Sequence, residues 1–304
     1  MKNLIAAVRA RLRRIAPLYN LYHLLKKGRV KSESTLQPRL VVGIYGRVHP
    51  YDFMIAGDSP ESAAVYNRIG SGAVDLCMDG LRLVNRSVES VRSILDFGCG
   101  YGRVTRAMVQ RFRPGIIDVF DVDSQAPIFC AHEFHVRPLV FKKGWDWNSV
   151  NFRSYDLIWV GSVFTHLSEP FARETLSVLY RILKKDGMLV FTTHGEGTFQ
   201  RNREGFYGKY YQSLADDIEA SYREKGMYFT AYQKQDLEIL PFEFKKGQDF
   251  GMTWLRPDCV QAMSEKISDG HLRLVEYRPL GWEQHQDAYF FQRGLAKHFS
   301  KNLI

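Results

Sequence analysis

The chain has 304 residues, 45% hydrophobic and 25% charged, long enough to bury a core and too balanced for a disordered, collagen-like or multi-span membrane protein. No apolar run approaches the roughly 20 residues that cross a bilayer. The four cysteines (Cys77, Cys99, Cys130, Cys259) lie far apart with no CxxC pair, which argues against a thiolate zinc site or a disulfide scaffold and for a reducing compartment.

The net charge is +9, and all of it sits in residues 1–31, which carry Lys2, Arg9, Arg11, Arg13, Arg14, Lys26, Lys27, Arg29, Lys31 and no acid. The remaining body is formally neutral, so composition implies no broad basic face for nucleic acid. Leu4, Val8, Leu12, Ile15, Tyr19 and Tyr22 recur at steps of three or four, which reads as a basic amphipathic helix, kinked or restarted at Pro17. Such a helix lies in a membrane interface against anionic headgroups, packs on its own domain, or trails as a tail; the pattern leaves all three open. The arginines interrupt the apolar stretch, unlike a secretory signal, whereas an Arg-rich, acid-poor start also fits an organelle transit peptide.

Residues 32–60 read as a linker or cap segment with one apolar run, Leu40–Tyr45. Residues 61–304 form the main domain, opening on a long helix or broken pair from Ser59-Pro60-Glu61 to about residue 89. An alternation of strands and helices follows. Strands are expected at Ser93–Phe97, Ile116–Asp121, Pro138–Phe141, Tyr155–Val160 and Met188–Thr193, and helices at Arg103–Arg111, Gln125–Phe134 and Pro170–Leu183. Lys184-Lys185-Asp186-Gly187 reads as a glycine stop to the last of these. The rhythm predicts an α/β fold with a doubly wound, mostly parallel sheet. After a helix at Pro257–Lys266, strands at His271–Tyr277 and Ala288–Gln292 are joined by too short a connection for a parallel crossover, so the sheet should finish antiparallel.

Asp96-Phe97-Gly98-Cys99-Gly100-Tyr101-Gly102 stands between a strand and a helix. Glycines there let the backbone turn sharply and approach a ligand, and a helix amino terminus behind them favours an anionic group. Asp121 follows 19 residues after Gly102, placed to accept hydrogen bonds from both ribose hydroxyls. The dinucleotide pattern GxGxxG fails at Arg103, and no GxxxxGK[ST] is present. An acid ahead of GxGxG, an acid ending the second strand and an antiparallel finish together resemble the class I S-adenosylmethionine-dependent methyltransferases, over about residues 60–195 and on to the terminal hairpin.

The resemblance implies a Rossmann-like seven-stranded sheet with S-adenosyl-L-methionine as cofactor. Gly98, Gly100 and Gly102 would line its methionine portion, and Asp96 would hold its ammonium, directly or through water. Asp121 would bind the ribose with Val122 beside the adenine, Asp146 would meet the adenine edge unless it is an ordinary loop acid, and Ser162 would lie beneath the cofactor. Tyr155-Asp156-Leu157-Ile158-Trp159, the run Ser162–Leu167, Thr193-His194-Gly195 and His285-Gln286-Asp287 resemble a bacterial subgroup that occurs with glycosyltransferases in surface-polysaccharide and secondary-metabolite pathways. That likeness implies a sugar, glycan or glycolipid acceptor and a cytoplasmic enzyme, at the inner face of the membrane if residues 1–31 anchor it.

Ligands of open α/β sheets lie beyond the carboxyl ends of the parallel strands. His166, His194 and His285 all fall at that edge. A hydroxyl acceptor benefits from a base near neutral pH, so one of the three is expected to serve as catalytic base and the others to hold the acceptor, with Asp287 orienting His285; each imidazole also has a plain structural reading. No helical HxxxH spacing supports a metal. Residues 195–250 form a long insert rich in aromatics, from Phe199 through Tyr207, Tyr211 and Tyr222 to Phe250, which serve an acceptor platform, a subdomain core, or both.

Two alternatives remain. A nucleic-acid methyltransferase is disfavoured because Val160-Gly161-Ser162-Val163 stands where base N-methyltransferases carry Asn/Asp-Pro-Pro-Tyr, and no Pro-Cys nucleophile appears. A non-catalytic cofactor-binding scaffold would keep the loop and Asp121 without turnover. The oligomeric state is not legible.

Overall fold

The computed structural model describes residues 37–142, 145–232 and 249–294. The expectations for residues 1–31 lie outside them. Among the described residues, no helix is long and apolar enough to cross a membrane.

Two short strands, β1 (Arg39–Leu40) and β2 (Arg47–Val48), pair antiparallel. The cap segment they belong to closes on Val41, Ile44, Val48 and Ile55 against Ala63 and Tyr66. Helix α1 (Pro60–Leu83) is a single helix, with Pro60 in its first turn and the Ser59 side chain accepting from the Ser62 amide, the expected amino-terminal cap.

Seven strands make the main sheet: β3 (Ile94–Phe97), β4 (Ile117–Phe120), β5 (Arg137–Leu139), β6 (Tyr155–Val160), β7 (Leu183–Thr193), β10 (Leu272–Trp282) and β11 (Gln286–Arg293), in the order β10-β11-β7-β6-β3-β4-β5. Strand β11 runs antiparallel to β7 and β10, and the other adjacent pairs are parallel. The expected doubly wound sheet with an antiparallel terminal strand is thus present. The period-2 alternation of side chains splits each strand between two cores. Ile94, Leu157, Trp159, Met188, Val190 and Phe290 pack with α1 and with α2 (Thr105–Met108) and α3 (Gln125–Phe134). Leu95, Ile158, Val160, Leu189, Phe191 and Phe291 face α4 (Glu169–Ile182) and α8 (Pro257–Ser268). With both faces covered, the central strands are buried throughout, as a parallel sheet requires.

Three local expectations are corrected. The helix behind the glycine loop is a single short turn, α2, so it offers no extended dipole. Gly187 does not stop α4: the chain leaves the helix at Leu183 in extended conformation, and Asp186, not the glycine, takes the left-handed φ of 60°. The terminal strands run further than expected, leaving only residues 283–285 between β10 and β11.

The insert forms α5 (Phe199–Arg203), α6 (Lys209–Ser213), α7 (Ala215–Lys225) and β8 (Met227–Ala231), which pairs in a ribbon with β9 (Gly251–Leu255), the strand just after it. Phe199, Tyr207, Tyr211, Tyr222 and Trp254 close a core of their own, so these aromatics serve the subdomain reading. The carboxyl end of β9 joins the main sheet's edge where the Leu255 amide donates to the His194 carbonyl at 2.9 Å.

Candidate active site

The order of the sheet reverses at β3 and β6, the switch point where open α/β sheets bind ligands. The loop leaving β3 turns back because the amides of Gly98 and Cys99 both donate to the Phe120 carbonyl, at 2.8 and 3.0 Å. Gly98, Gly100 and Gly102 all adopt positive φ (80°, 48° and 89°), but they face different things. A Cβ on Gly98 would stand 2.4 Å from Val163 Cγ2, and one on Gly102 2.6 Å from the Phe134 ring; these two glycines are demanded by packing. A Cβ on Gly100 would meet nothing within 4 Å. That open face is where a ligand can lie on the backbone.

Two carboxylates belong to the loop: Asp96 enters it from β3, and Asp121 meets the Gly100 amide. Asp96, at the end of β3, is buried and accepts from Thr105 Oγ1 at 2.6 Å. Burial pushes its carboxyl up to about 7, with the charge of Asp121 adding and the Thr105 bond opposing. Asp121, directly after β4, accepts from the Gly100 amide at 2.8 Å through one oxygen and from the Asp123 amide at 3.0 Å through the other. Burial raises it to about 6 against those bonds. Both raised carboxylates favour a cationic ligand, which would hold them ionised. S-adenosylmethionine, with its ammonium and sulfonium, fits this open, acid-bearing loop. Val122 is half-buried beside Asp121. Tyr101 donates to Asp123 Oδ2 at 2.7 Å and stacks on His49 at 4.1 Å, which fastens the cap segment to the loop.

Asp146 is exposed and caps the turn Trp147–Ser149, accepting from the Asn148 amide at 3.0 Å, a role that occupies one of its oxygens. Ser162, just past β6, takes a left-handed φ of 64°. Its amide donates to Thr192 Oγ1 (2.9 Å), Thr192 Oγ1 donates to Gln286 Oε1 (2.6 Å), and Gln286 Nε2 donates to Ser162 Oγ (2.6 Å). This closed ring ties together the ends of β6, β7 and β11. Its members Thr192 and Gln286 escape sequence reasoning, although Gln286 adjoins a histidine singled out there.

The histidines divide. His194 is buried, and its Nδ1 lies 3.2 Å from the Thr253 carbonyl oxygen. A carbonyl only accepts, so Nδ1 carries the hydrogen and Nε2 keeps its lone pair. Burial, then the charges of His285 and His166, hold its pKa well below the ordinary value. His166 repeats the arrangement two residues along β9: Nδ1 lies 3.0 Å from the Gly251 carbonyl and 2.7 Å from Tyr232 Oη, and burial lowers it too. Carbonyls two apart on a strand point the same way, so one strand meets both Nδ1 atoms, and at His194, where the carbonyl is the one hydrogen-bond partner of Nδ1 among the described residues, it sets the tautomer. Among the described residues, neither Nε2 has a hydrogen-bond partner.

His285 meets His194 edge to face, with ring centroids 5.6 Å apart. Its Nδ1 accepts from Arg201 Nη1 (3.2 Å), and its Nε2 lies 3.2 Å from Tyr207 Oη. Both nitrogens are occupied, and burial with the Arg201 charge pushes it down to about 4. Asp287 does not orient it, contrary to expectation: that carboxylate accepts from Tyr277 Oη (2.7 Å) and the Leu280 amide (2.9 Å), holding the irregular end of β10.

Residues 95–189 match the family described as methyltransferase domain. The match contains the glycine loop, Asp121 and Ser162, and the sheet has the strand arrangement of a Rossmann-like methyltransferase fold. A malonyl-[acyl-carrier protein] O-methyltransferase of Halalkalibacterium halodurans is 33% identical over 123 residues, 39% of this chain and 45% of the relative. One of Paenibacillus sp. is 28% identical over 174 residues, 48% and 59% of the two chains. The chain thus spans about half the length of these curated relatives. A crystal structure of an S-adenosylmethionine-dependent methyltransferase from Clostridium acetobutylicum superposes with a TM-score of 0.46 at 12% identity, over 76% of this chain and 92% of that one.

Proposed function

We propose that this protein transfers a methyl group from S-adenosylmethionine to an oxygen of a small-molecule acceptor, a hydroxyl of a sugar, glycan or glycolipid. The observation that carries the cofactor assignment is the open face over Gly100, on a loop with two carboxylates that burial has raised. Asp96 holds the ammonium, Asp121 the ribose hydroxyls, Val122 and Asp146 the adenine, and the ring through Ser162 supports the floor. Bound there, the cofactor supplies an electrophilic methyl carbon on a sulfonium.

The remaining work falls to this chain's own residues. The neutral Nε2 of His194 accepts the hydroxyl proton as the acceptor oxygen bonds to the methyl carbon, and the electron pair of the broken S–C bond stays on sulfur. His166 holds the acceptor. His285, with both nitrogens engaged, keeps Tyr207 and Arg201 in place.

The malonyl-[acyl-carrier protein] methyltransferases raise a second reading, a carboxylate acceptor. A carboxylate is already ionised at neutral pH and needs no base, whereas the buried His194 imidazole, held with Nε2 free of a hydrogen, suits a hydroxyl. The nucleic-acid reading draws nothing from this site.

Calorimetric titration with S-adenosylhomocysteine, followed by labelled-methyl transfer to neutral sugars, acidic sugars and a malonyl thioester, tests the proposal. Micromolar binding with incorporation into a sugar supports it. Binding with incorporation only into the thioester moves the acceptor to the second reading, and binding with no turnover on any acceptor supports a scaffold. No binding by folded protein sinks the cofactor assignment. Residues 1–31, with nine cations and no acid, suit a cytoplasmic enzyme that meets a lipid-linked acceptor at an anionic inner membrane face; equal sedimentation with anionic vesicles of the full chain and of a chain lacking them would refute that role.

A further inference from the structure

The wall behind His194 carries a cation that has no carboxylate among the described residues. Arg201 projects from α5. The other described arginines between residues 196 and 260 all meet acids: Arg203 with Asp216 and Glu219, Arg223 with Glu196, Arg256 with Asp258. Arg201 instead donates Nη2 to the Gln284 carbonyl at 2.8 Å and Nη1 to His285 Nδ1 at 3.2 Å, and lies over the Phe206 ring at 5.7 Å. Its polar partners are neutral, so its full charge remains.

Nearby acids are engaged elsewhere. Glu204 accepts from Gln200, and Asp287 from Tyr277 and Leu280. A half-buried guanidinium has lost hydration that two neutral acceptors replace only in part, and two of its five N–H groups are used. Its cost also falls on His285, whose protonation it suppresses. Folding alone gains little from that juxtaposition. The location gives it a use, because Tyr207 contacts both His285 and His194, with ring centroids 5.7 and 5.0 Å away.

We propose that Arg201 is the specificity-determining residue of the acceptor site and binds a carboxylate or phosphate carried by the acceptor, at a point removed from the oxygen that faces His194. The inference rests on the reading of His194 as the proton-accepting side of a methyl-transfer site. It narrows the acceptor class to anionic molecules such as uronic acids or sugar phosphates and sets neutral sugars aside. Arginine is suited to the task because its planar fork meets either anion with two parallel bonds.

The test uses the full chain saturated with S-adenosylhomocysteine, with the His285 ring followed by NMR and assigned through His285→Gln. Inorganic phosphate and acetate serve as separate probes. At least one should raise the pKa of His285 in the wild type. In Arg201→Gln the unliganded His285 should titrate higher than in the wild type and respond to neither probe, and Arg201→Lys should restore part of the response. An unresponsive wild type, or an equal response in Arg201→Gln, overturns the proposal.

Methyl transfer to a uronic acid, a glycosyl phosphate and the matching neutral sugar gives the second readout. The wild type should prefer one anionic member by about tenfold or more in kcat/KM, and Arg201→Gln should erase the preference; which member is preferred separates carboxylate from phosphate. Preference for the neutral sugar overturns the proposal. Failure to bind S-adenosylhomocysteine sinks the methyl-transfer reading and the acceptor role with it, whereas binding without an anion response overturns the role of Arg201 alone.

Discussion

The Nδ1 of His194 lies 3.2 Å from the carbonyl oxygen of Thr253, on the strand that follows the insert and pairs with it. That contact selects the tautomer, and so gives an apparently peripheral ribbon a part in the chemistry proposed for the crevice. Asparagine at this position places an amide N–H near the same carbonyl and removes the base. His194→Asn should therefore fold, bind S-adenosylhomocysteine within about twofold of the wild type, and lose about 10²–10⁴-fold in turnover. Wild-type turnover in His194→Asn would remove His194 from the proton path.

The pH profile should separate the base from the cofactor site. The pKa of His194 is held well below the ordinary histidine value, so the base form persists as pH falls and kcat should show no inflection near 6.5. Cofactor affinity behaves differently. Asp96 and Asp121 sit at about 7 and about 6 without ligand, and a cationic ligand binds their ionised forms. Affinity for S-adenosylmethionine should weaken as pH drops from 7.5 to 5.5, with proton release on binding near pH 6.5. Calorimetry in buffers of different ionisation enthalpy measures that release, and its absence would mean the two acids do not face the cofactor.

Much of this architecture is legible in the residue pattern, because the near-continuous apolar run in Tyr155–Val160 or Met188–Thr193 reports burial on two faces whatever those faces touch. The glycine loop and Asp121 are legible for a similar reason: they lie within one strand–turn–helix–strand unit. What escapes depends on partners remote in the chain. Gly98, Gly100 and Gly102 look equivalent until Val163 and Phe134 are seen to fill the space beside two of them. His285 looks free until Arg201 and Tyr207, from the insert, occupy both its nitrogens. Asp287 adjoins His285 closely enough to suggest a dyad, yet strand alternation turns it toward Tyr277. Likewise, Asp186 takes the left-handed residue that Gly187 seemed built for.

The glycines should part company on substitution. Gly98→Ala sets a methyl 2.4 Å from Val163 Cγ2 at a φ of 80° and should destabilise the fold by about 2–3 kcal/mol. Gly100→Ala meets no neighbour at a φ of 48°, so it should cost only about 1 kcal/mol of stability while weakening S-adenosylhomocysteine about tenfold or more through the ligand's lost approach. Thermal unfolding and calorimetry on the two variants read both effects, and equal affinity in wild type and Gly100→Ala would show that the ligand does not cross that face.

Asp121→Ala removes an acceptor from the Gly100 and Asp123 amides as well as the charge proposed to meet the ribose. Cofactor affinity should fall by about 1.5–3 kcal/mol. Asp121→Asn separates the contributions, since its amide oxygen can still take one backbone N–H; it should bind more tightly than Asp121→Ala and less tightly than the wild type. Unchanged affinity in both would sink the ribose assignment.

At the opposite, amino edge of the sheet, Asp156 shows the reverse electrostatics. Its carboxylate accepts from the Arg92 amide, Ser93 Oγ and Lys184 Nζ, each at 2.9 Å, and pairs with Arg86. Lys184, Arg86 and the Arg92 and Ser93 hydrogen bonds outweigh burial and hold it well below the usual carboxylate range. A depressed folded-state pKa contributes stability above the unfolded value, near 4, that is lost as pH falls through the folded one. Asp156→Asn should therefore cost about 2–3 kcal/mol at pH 7, and the gap to the wild type should narrow as pH falls below 4. Asp96 and Asp121 carry the opposite sign: their raised pKa values make the unliganded fold lose stability as pH rises from about 4 to the folded values of about 6 and about 7. Urea unfolding of wild type and Asp156→Asn across this range, with and without S-adenosylhomocysteine, should show a gap between the two proteins that the ligand does not alter at any pH. Its narrowing on ligand addition would mean that the amino edge and the cofactor crevice are energetically coupled along β3, which follows Ser93, a partner of Asp156, and carries Asp96.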